Sequence, residues 1–177
     1  SISHVAMVHH ETTTGLLNPV HEVGEVTAKC GRALIVDAMS SFAGERLDMN
    51  ADHLDFLVSS SNKCLQGLPG LSFVVARRNC LEALESIPRR SVYLDLYNQW
   101  RQEEADNTPF TPAIQIFFSL RQALFELNEE TVQGRLERFD ACARTLRKGM
   151  ESLGFRILVP EAARSNLLTA FHLSDGI

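Results

Sequence analysis

Cysteine is scarce in this 177-residue sequence and shows none of the spacings typical of metal-binding proteins. The four cysteines, Cys30, Cys64, Cys80 and Cys142, include no C-x-x-C pair. Three of them lie in apolar contexts beside predicted helices or strands, where a free thiol behaves as a small hydrophobic side chain. We therefore expect a protein of a reducing cytoplasm.

Long apolar runs, excess positive charge and a glycine-rich phosphate loop are also absent from the sequence. No uninterrupted apolar stretch reaches the length needed to span a bilayer. The net charge of −5 argues against nucleic acid or an anionic membrane surface as partners. No G-x-G-x-x-G motif follows a predicted strand, which argues against a nucleotide-binding domain. With 45% hydrophobic residues, the chain can still bury a substantial core.

Apolar runs of strand length alternate with helix-period segments in the first half of the chain. Residues 19–29 place three valines at helical spacing, and Gly31 follows as a stop signal. A second helix is predicted over residues 77–86. Strands rich in Val, Ile and Leu that alternate with helices predict an α/β fold with a mainly parallel sheet flanked by helices. The predicted strands are residues 5–8, 33–37, 56–59 and 72–76.

Long amphipathic helices dominate the second half, over residues 114–127 and 132–153. Residues 155–159 and 167–171 then predict two strands. We interpret residues 1–135 as part of a large domain and residues 136–177 as the start of a small C-terminal α+β domain. The strand-like beginning and end of the sequence lead us to expect an internal segment of a longer protein.

Lys63 and Asp37 are the candidate catalytic pair, because each follows an apolar strand. A lysine carried from a buried strand into a small-residue loop is expected to be poorly solvated, which makes its amine nucleophilic. A carboxylate at a strand end can keep a pyridine nitrogen protonated, so the pair fits a pyridoxal phosphate site. Each residue alone also has a plainer interpretation: Asp37 as a helix cap or a salt-bridged loop aspartate, Lys63 as a solvated loop lysine.

Polar side chains close to this pair are candidates for binding the rest of a cofactor. Thr12 lies in a threonine-rich loop at another strand end, and Asn62 directly precedes the lysine. Thr111 precedes a predicted helix, where it could bind an anion or simply cap the helix. We do not expect a metal at the adjacent histidines 9 and 10, which point to opposite sides of a strand. Cys64 lacks a histidine close in sequence, so packing explains it better than catalysis.

Four segments together resemble the class V aminotransferases of the fold-type I pyridoxal phosphate superfamily. They are HETTTGLLNP at residues 10–19, LIVDAMSSF at 34–42, DFLVSSSNKC at 55–64 and SVYLDLY at 91–97. The motifs ETTTG, DAMSS and SNKC are most similar to the branch of the family that moves an amino group from an aminophosphonate to pyruvate. The resemblance runs over essentially the whole chain.

The resemblance implies a role for each candidate residue. Lys63 would bind the cofactor aldehyde covalently and then carry the proton between two carbons, while Asp37 would pair with the pyridine nitrogen. Thr12 would bind near the ring oxygen, and Asn62 near the phosphate. Thr111 matches a threonine that reaches the cofactor of the neighbouring subunit, which implies a homodimer. The substrates would be a small-molecule amine and a 2-oxo acid.

Other functions remain open on the sequence alone. A sister branch with serine or alanine as donor and glyoxylate as acceptor would use the same Lys63 and Asp37. Cysteine desulfurases carry a histidine before the lysine, where this chain has Asn62. A non-catalytic interaction module would have no need of Lys63. The family's glycine- and serine-rich phosphate loop and its substrate-binding arginine fall outside this sequence, so we expect the segment alone to be inactive.

Overall fold

A four-stranded sheet forms the centre of the molecule in the computed structural model, which describes residues 2–173. The spatial order of the strands is β1-β4-β5-β6, and a separate two-stranded sheet pairs β2 with β3. β1, β4 and β5 are parallel, whereas β6 is antiparallel to β5. The strands are β1 (His4–Val8), β2 (His10–Glu11), β3 (Leu16–Leu17), β4 (Ala33–Asp37), β5 (Phe56–Ser60) and β6 (Ser72–Ala76). The predicted mainly parallel sheet is confirmed.

Within residues 2–173, five α-helices lie around or after this sheet. They are α1 (Val20–Lys29), α2 (Arg78–Ala83), α3 (Leu96–Glu104), α4 (Ile114–Glu130) and α5 (Val132–Ser152). Short 3₁₀ turns follow at Leu84–Ser86 and Glu161–Ala163. None of the helices within residues 2–173 combines the length and the apolarity needed to cross a membrane.

The hydrophobic core lies between the central strands and α1. Alternate residues of β4 point into it, and the helix adds one buried valine. The buried members of this cluster are Val20, Leu34, Val36, Ala38, Leu54 and Leu57. β5 is buried on both faces, and β4 is buried or half-buried up to Val36, which explains why these strands are apolar runs that could be located from the sequence.

The helix α1 follows the prediction closely because its signals are local. It begins directly after Pro19. After its end, Gly31 adopts a φ of +62°, a left-handed conformation in which glycine can turn the chain out of the helix without strain. Gly24 is buried in the middle of the helix. A Cβ at Gly24 would lie 2.0 Å from the carbonyl oxygen of Asp52, so the close approach of these two segments requires glycine.

The second half differs from the prediction at its helix ends. α3 was not predicted; Asp95 caps it by accepting a hydrogen bond from the Asn98 amide at 2.9 Å. α4 continues three residues past the predicted end, through Asn128, Glu129 and Glu130. Thr131 then turns the chain at φ +67° and caps α5 through the Gly134 amide.

The two strands predicted in the C-terminal region were wrong. Residues 155–159 and 167–171 share only one β-bridge, between Ile157 and Phe171. The intervening segment is held elsewhere: the Ser165 amide donates to the Gly15 carbonyl at 2.8 Å, and Arg164 bridges to Leu16. These long-range contacts draw residues 164–168 towards the threonine loop, so the strand pattern never develops into a ladder.

Candidate active site

The carboxyl ends of β1, β4 and β5 meet at one edge of the sheet and carry most of the candidate residues. Val8 pairs with Asp37, which in turn pairs with Val58, so the three strands end almost in line. Backbone hydrogen bonds continue this alignment into the loops, from the His9 amide to Asp37 and from the Ala38 amide to Val58, both at 2.9 Å. This edge is where open parallel sheets bind ligands.

Asp37 is the last residue of β4, and its side chain is exposed. Its Oδ1 accepts a hydrogen bond of 2.8 Å from the Met39 amide. Turns, not a helix, follow at residues 39–44, so the helix-cap interpretation of this aspartate was wrong. The local hydrogen bond orients the carboxylate, and within residues 2–173 its second oxygen has no hydrogen-bond partner.

Lys63 lies in the turn that follows β5. The Gln66 amide donates to the Lys63 carbonyl at 2.9 Å, and Gln66 adopts a φ of +66° to close the turn. The lysine side chain is exposed, so the expected desolvation of its amine was wrong for this chain. The reason is its position: the turn projects from the edge formed by the carboxyl ends of the strands, and no described element covers the Lys63 side chain.

Serines 40 and 41 tie the three strand-end loops together. The Ser40 hydroxyl lies 3.1 Å from His10 Nδ1, and its carbonyl accepts the Cys64 thiol at 3.3 Å. The Ser41 hydroxyl is fully buried and lies 3.0 Å from His9 Nδ1. The loops that carry Thr12, Asp37 and Lys63 are thereby held in a fixed relation.

The two histidines and the cysteine in this network have pKa values displaced chiefly by burial. Burial lowers the pKa of His9 to about 4, with a smaller contribution from His10, whose pKa is lowered for the same reason. Burial raises the pKa of the Cys64 thiol to about 11. The imidazoles are therefore neutral at pH 7, and the thiol is not a nucleophile, which agrees with the packing role predicted for Cys64. Within residues 2–173, no three His, Cys, Asp or Glu side chains cluster as metal ligands.

The structure places Thr12 and Asn62 at the same edge, whereas Thr111 lies on a different loop. Thr12 is exposed in the turn after β2, which closes at Gly15 with a φ of +80°. Asn62 is half-buried beside Lys63. Thr111 is exposed in the loop before α4, whose capping position is Ala113, so the helix-cap alternative was wrong. No hydrogen bond within residues 2–173 joins Thr111 to the other candidates.

Arg135 is a residue near this site that the sequence did not single out. It lies in the first turn of α5 and is only 2% exposed. Its Nη1 donates to the carbonyl oxygen of Cys64 at 2.7 Å, one residue after the candidate lysine. The only signal in the sequence is an arginine next to the apolar stripe of α5, which is common on amphipathic helices and points to no function.

Comparison with known proteins places these features in a family. A model of the aminotransferase class-V family matches residues 1–176. The chain is 47% identical over 175 residues to a 2-aminoethylphosphonate–pyruvate transaminase of Salmonella schwarzengrund (strain CVM19633), covering 97% of this chain and 47% of that protein. The chain thus spans about half the length of the curated relatives it matches.

Solved structures of aminotransferases share the fold. A ureidoglycine–glyoxylate aminotransferase from Bacillus subtilis superposes with a TM-score of 0.91 at 26% identity, covering 98% of this chain and 46% of that one. An alanine–glyoxylate aminotransferase from Nostoc sp. superposes with a TM-score of 0.90 at 27% identity, covering 97% and 46% of the two chains.

Proposed function

This chain belongs to the aminotransferase class-V family, and from that premise we propose that it carries the catalytic centre of a pyridoxal phosphate-dependent transaminase. The observation that carries the proposal is the placement of Lys63 and Asp37. They follow neighbouring parallel strands, at the same edge of the sheet, on loops that share hydrogen bonds through Ser40. An amine and a carboxylate held in this way match the two ends of a pyridoxal ring system.

The donor set at the edge fits this cofactor. The exposed Lys63 amine can bond to its aldehyde, and the second oxygen of the oriented Asp37 carboxylate can accept a hydrogen bond from its protonated pyridine nitrogen. The Thr12 hydroxyl can donate to the ring oxygen, and the Asn62 amide to a phosphate oxygen. When bound, the cofactor supplies an electron sink for the carbanion that forms at the substrate carbon.

Lys63 also moves the proton of the reaction. Its amine, when not bonded to the cofactor, would serve as the base that takes a proton from the substrate carbon and as the acid that returns it one position away. The Asp37 carboxylate would accept a hydrogen bond from the pyridine nitrogen and favour the protonated form of the ring. The two residues thus divide proton transfer and electrostatic stabilisation between them.

For substrates, we propose transfer of the amino group of 2-aminoethylphosphonate to pyruvate, which gives phosphonoacetaldehyde and L-alanine. The name of the relative that is 47% identical supports this choice. The alternative, a transaminase of serine or alanine with glyoxylate, is less favoured. The two glyoxylate aminotransferases are 26–27% identical to this chain, against 47% for the phosphonate transaminase.

The subunit assembly follows the family resemblance, and the domain boundary follows the sequence pattern. We propose a cytoplasmic homodimer in which Thr111 reaches the cofactor phosphate of the neighbouring subunit. Thr111 lies in the loop before α4, outside the strand-end loops that carry the other candidates, and its match to the family's threonine supports this arrangement. We keep the division into a large domain over residues 1–135 and a small domain from residue 136, with α5 running through the boundary.

Visible absorbance tests the proposed function directly. The complete protein is purified with pyridoxal phosphate and titrated with 2-aminoethylphosphonate, and in parallel with alanine and with serine. We expect an absorbance band from the lysine-bound cofactor that bleaches with the phosphonate amine at the lowest concentration. Bleaching by serine with none by the phosphonate would move the protein to the sister branch. The absence of any band would contradict the cofactor assignment.

A further inference from the structure

Arg135 is a buried cation whose position needs an explanation. A guanidinium that is 2% exposed is costly to bury unless ion pairing and hydrogen bonds compensate for lost hydration. An amphipathic helix such as α5 normally keeps its arginines at the solvent-exposed face. Here the side chain instead points into the junction between α5 and the turn after β5.

The contacts of Arg135 divide between a carboxylate and the backbone of the lysine turn. Nε donates to Glu130 Oε2 at 2.6 Å. Nη1 donates to the carbonyl oxygen of Cys64 at 2.7 Å and lies 3.5 Å from that of Leu65. Two edges of one planar group are thus used for two different segments, a geometry that arginine offers and lysine does not.

A second arginine completes the charge balance without touching the turn. Arg138 donates to both oxygens of Glu130, at 2.6 and 3.2 Å, and its side chain is 44% exposed. The hydrogen bonds from Arg138 and Arg135 lower the pKa of Glu130 to about 2, so this carboxylate is ionised at pH 7. Arg135 therefore keeps a charged partner on one side while it holds the backbone on the other.

We propose that Arg135 is a positioning residue for Lys63: by holding the carbonyls of Cys64 and Leu65, it fixes the turn from which the lysine projects. This inference rests on the proposed function of Lys63. The exposed amine is not immobilised by burial, so its reach towards a substrate carbon depends on how rigidly its backbone is held. Leu65, which is 2% exposed, anchors the same turn from the apolar side.

The test compares Arg135→Lys with Arg138→Gln in the complete protein. Lysine retains the charge beside Glu130 but cannot serve both segments, whereas Arg138→Gln leaves the contact with the turn intact. A third variant, Leu34→Val, lowers stability from the core, near the amino-terminal end of β4, and serves as a control for any loss of unfolding temperature. The first readout needs no cofactor: hydrogen–deuterium exchange of the peptide over residues 63–67, whose Gln66 and Gly67 amides are hydrogen-bonded within the turn.

We expect exchange in this peptide to rise about tenfold in Arg135→Lys and to be unchanged in the other two variants. In the loaded enzyme, kcat of Arg135→Lys should fall on the order of tenfold or more, with little change in KM, because a misplaced proton carrier slows chemistry more than binding. Unchanged exchange, or a loss of stability with normal kcat, would overturn the proposal. If the wild-type protein showed no cofactor band, the proposed function would fail first, while the exchange data would still report whether Arg135 holds the turn.

Discussion

Asp37 and Lys63 differ in how firmly the protein holds them. The Asp37 carboxylate is oriented by its own turn through the Met39 amide. The exposed Lys63 amine, at the end of a long side chain, has no hydrogen-bond partner within residues 2–173. This difference suits their proposed tasks, because the partner of a ring nitrogen must stay in place and a proton carrier must move between two atoms. The held group provides electrostatics, and the mobile group provides chemistry.

The charge of Asp37 is the property that the account requires. In Asp37→Asn, the amide oxygen can still accept from Met39, but the ion pair with the pyridine nitrogen is lost. We expect transaminase activity to fall by about 100-fold or more. Asp48→Asn is a matched control, since Asp48 also accepts backbone hydrogen bonds in a local turn, from Asn50 and Ala51. Equal activity in the two variants would contradict the role of Asp37.

The buried His9 is expected to make the stability of the folded protein depend on pH. Its pKa of about 4 in the folded protein lies below the ordinary value of 6.5, so protonation favours the unfolded chain. The neutral histidine therefore stabilises the fold above pH 6.5, and this contribution, at most about 3 kcal/mol, is lost as the pH falls towards 4. Urea unfolding at pH 7, 6, 5 and 4 should show a shallower loss of stability in His9→Gln than in the wild type. His4→Gln, at an exposed position, should follow the wild type.

The sequence pointed to Asp37 and Lys63 because each follows a recognisable strand, but it missed their supports. Arg135 and Cys64 are 71 residues apart, and His10 and Ser40 are 30 apart. Such contacts depend on how helices and loops pack, for which periodicity contains no signal. The burial expected for Lys63 was wrong for the same reason, since strand patterns locate a turn without showing what covers it.

At the scale of elements, β4 was predicted to the residue and the C-terminal strands were not. The run Ala33–Asp37 is apolar on both faces and ends at a charged residue, so its limits are written locally. Residues 167–171 have a similar pattern, yet the neighbouring Ser165 and Asn166 bind Gly15 and Glu45. Competition from partners distant in sequence decides such cases.

Replacing a glycine by alanine is expected to have opposite effects on stability in two helices, α1 and α5. Gly24→Ala should destabilise the protein by about 1–3 kcal/mol although alanine is the better helix former, because its Cβ would meet the Asp52 carbonyl at 2.0 Å. Gly149→Ala, in α5, should stabilise by about 0.5–1 kcal/mol, since nothing lies within 4 Å of the added methyl. Thermal unfolding of both variants checks the pair. Stabilisation by Gly24→Ala would show that α1 and the Asp52 segment are packed less closely than described.

At the scale of the whole molecule, α4 presents an apolar face to solvent in this chain. Five of its large side chains are about half exposed or more: Ile114, Phe117, Phe118, Leu124 and Phe125. Surfaces of this kind on a globular protein mark contacts with other segments or subunits. Thr111 lies at the start of the same helix, so the location of this face is consistent with the proposed homodimer.

Mixed dimers test whether Thr111 acts across subunits. Lys63→Ala and Thr111→Glu proteins should each be inactive, the second because a carboxylate repels the cofactor phosphate. When the two are unfolded and refolded together, half of the dimers are mixed, and each mixed dimer regains one intact site. We expect about a quarter of wild-type activity. If Thr111 serves its own subunit instead, no mixture restores activity.

Lys63 is the proposed site of covalent attachment of pyridoxal phosphate, and the most direct measurement identifies the lysine that carries the cofactor. The complete protein is loaded with pyridoxal phosphate, reduced with borohydride to fix the bond, digested and sequenced by mass spectrometry. This chain contains three lysines, Lys29, Lys63 and Lys148, of which only Lys63 lies at the candidate site. The account predicts the pyridoxyl label on Lys63, and its loss in a Lys63→Ala variant that retains the wild-type unfolding temperature. A label on any other lysine, with Lys63 unmodified, would contradict the account.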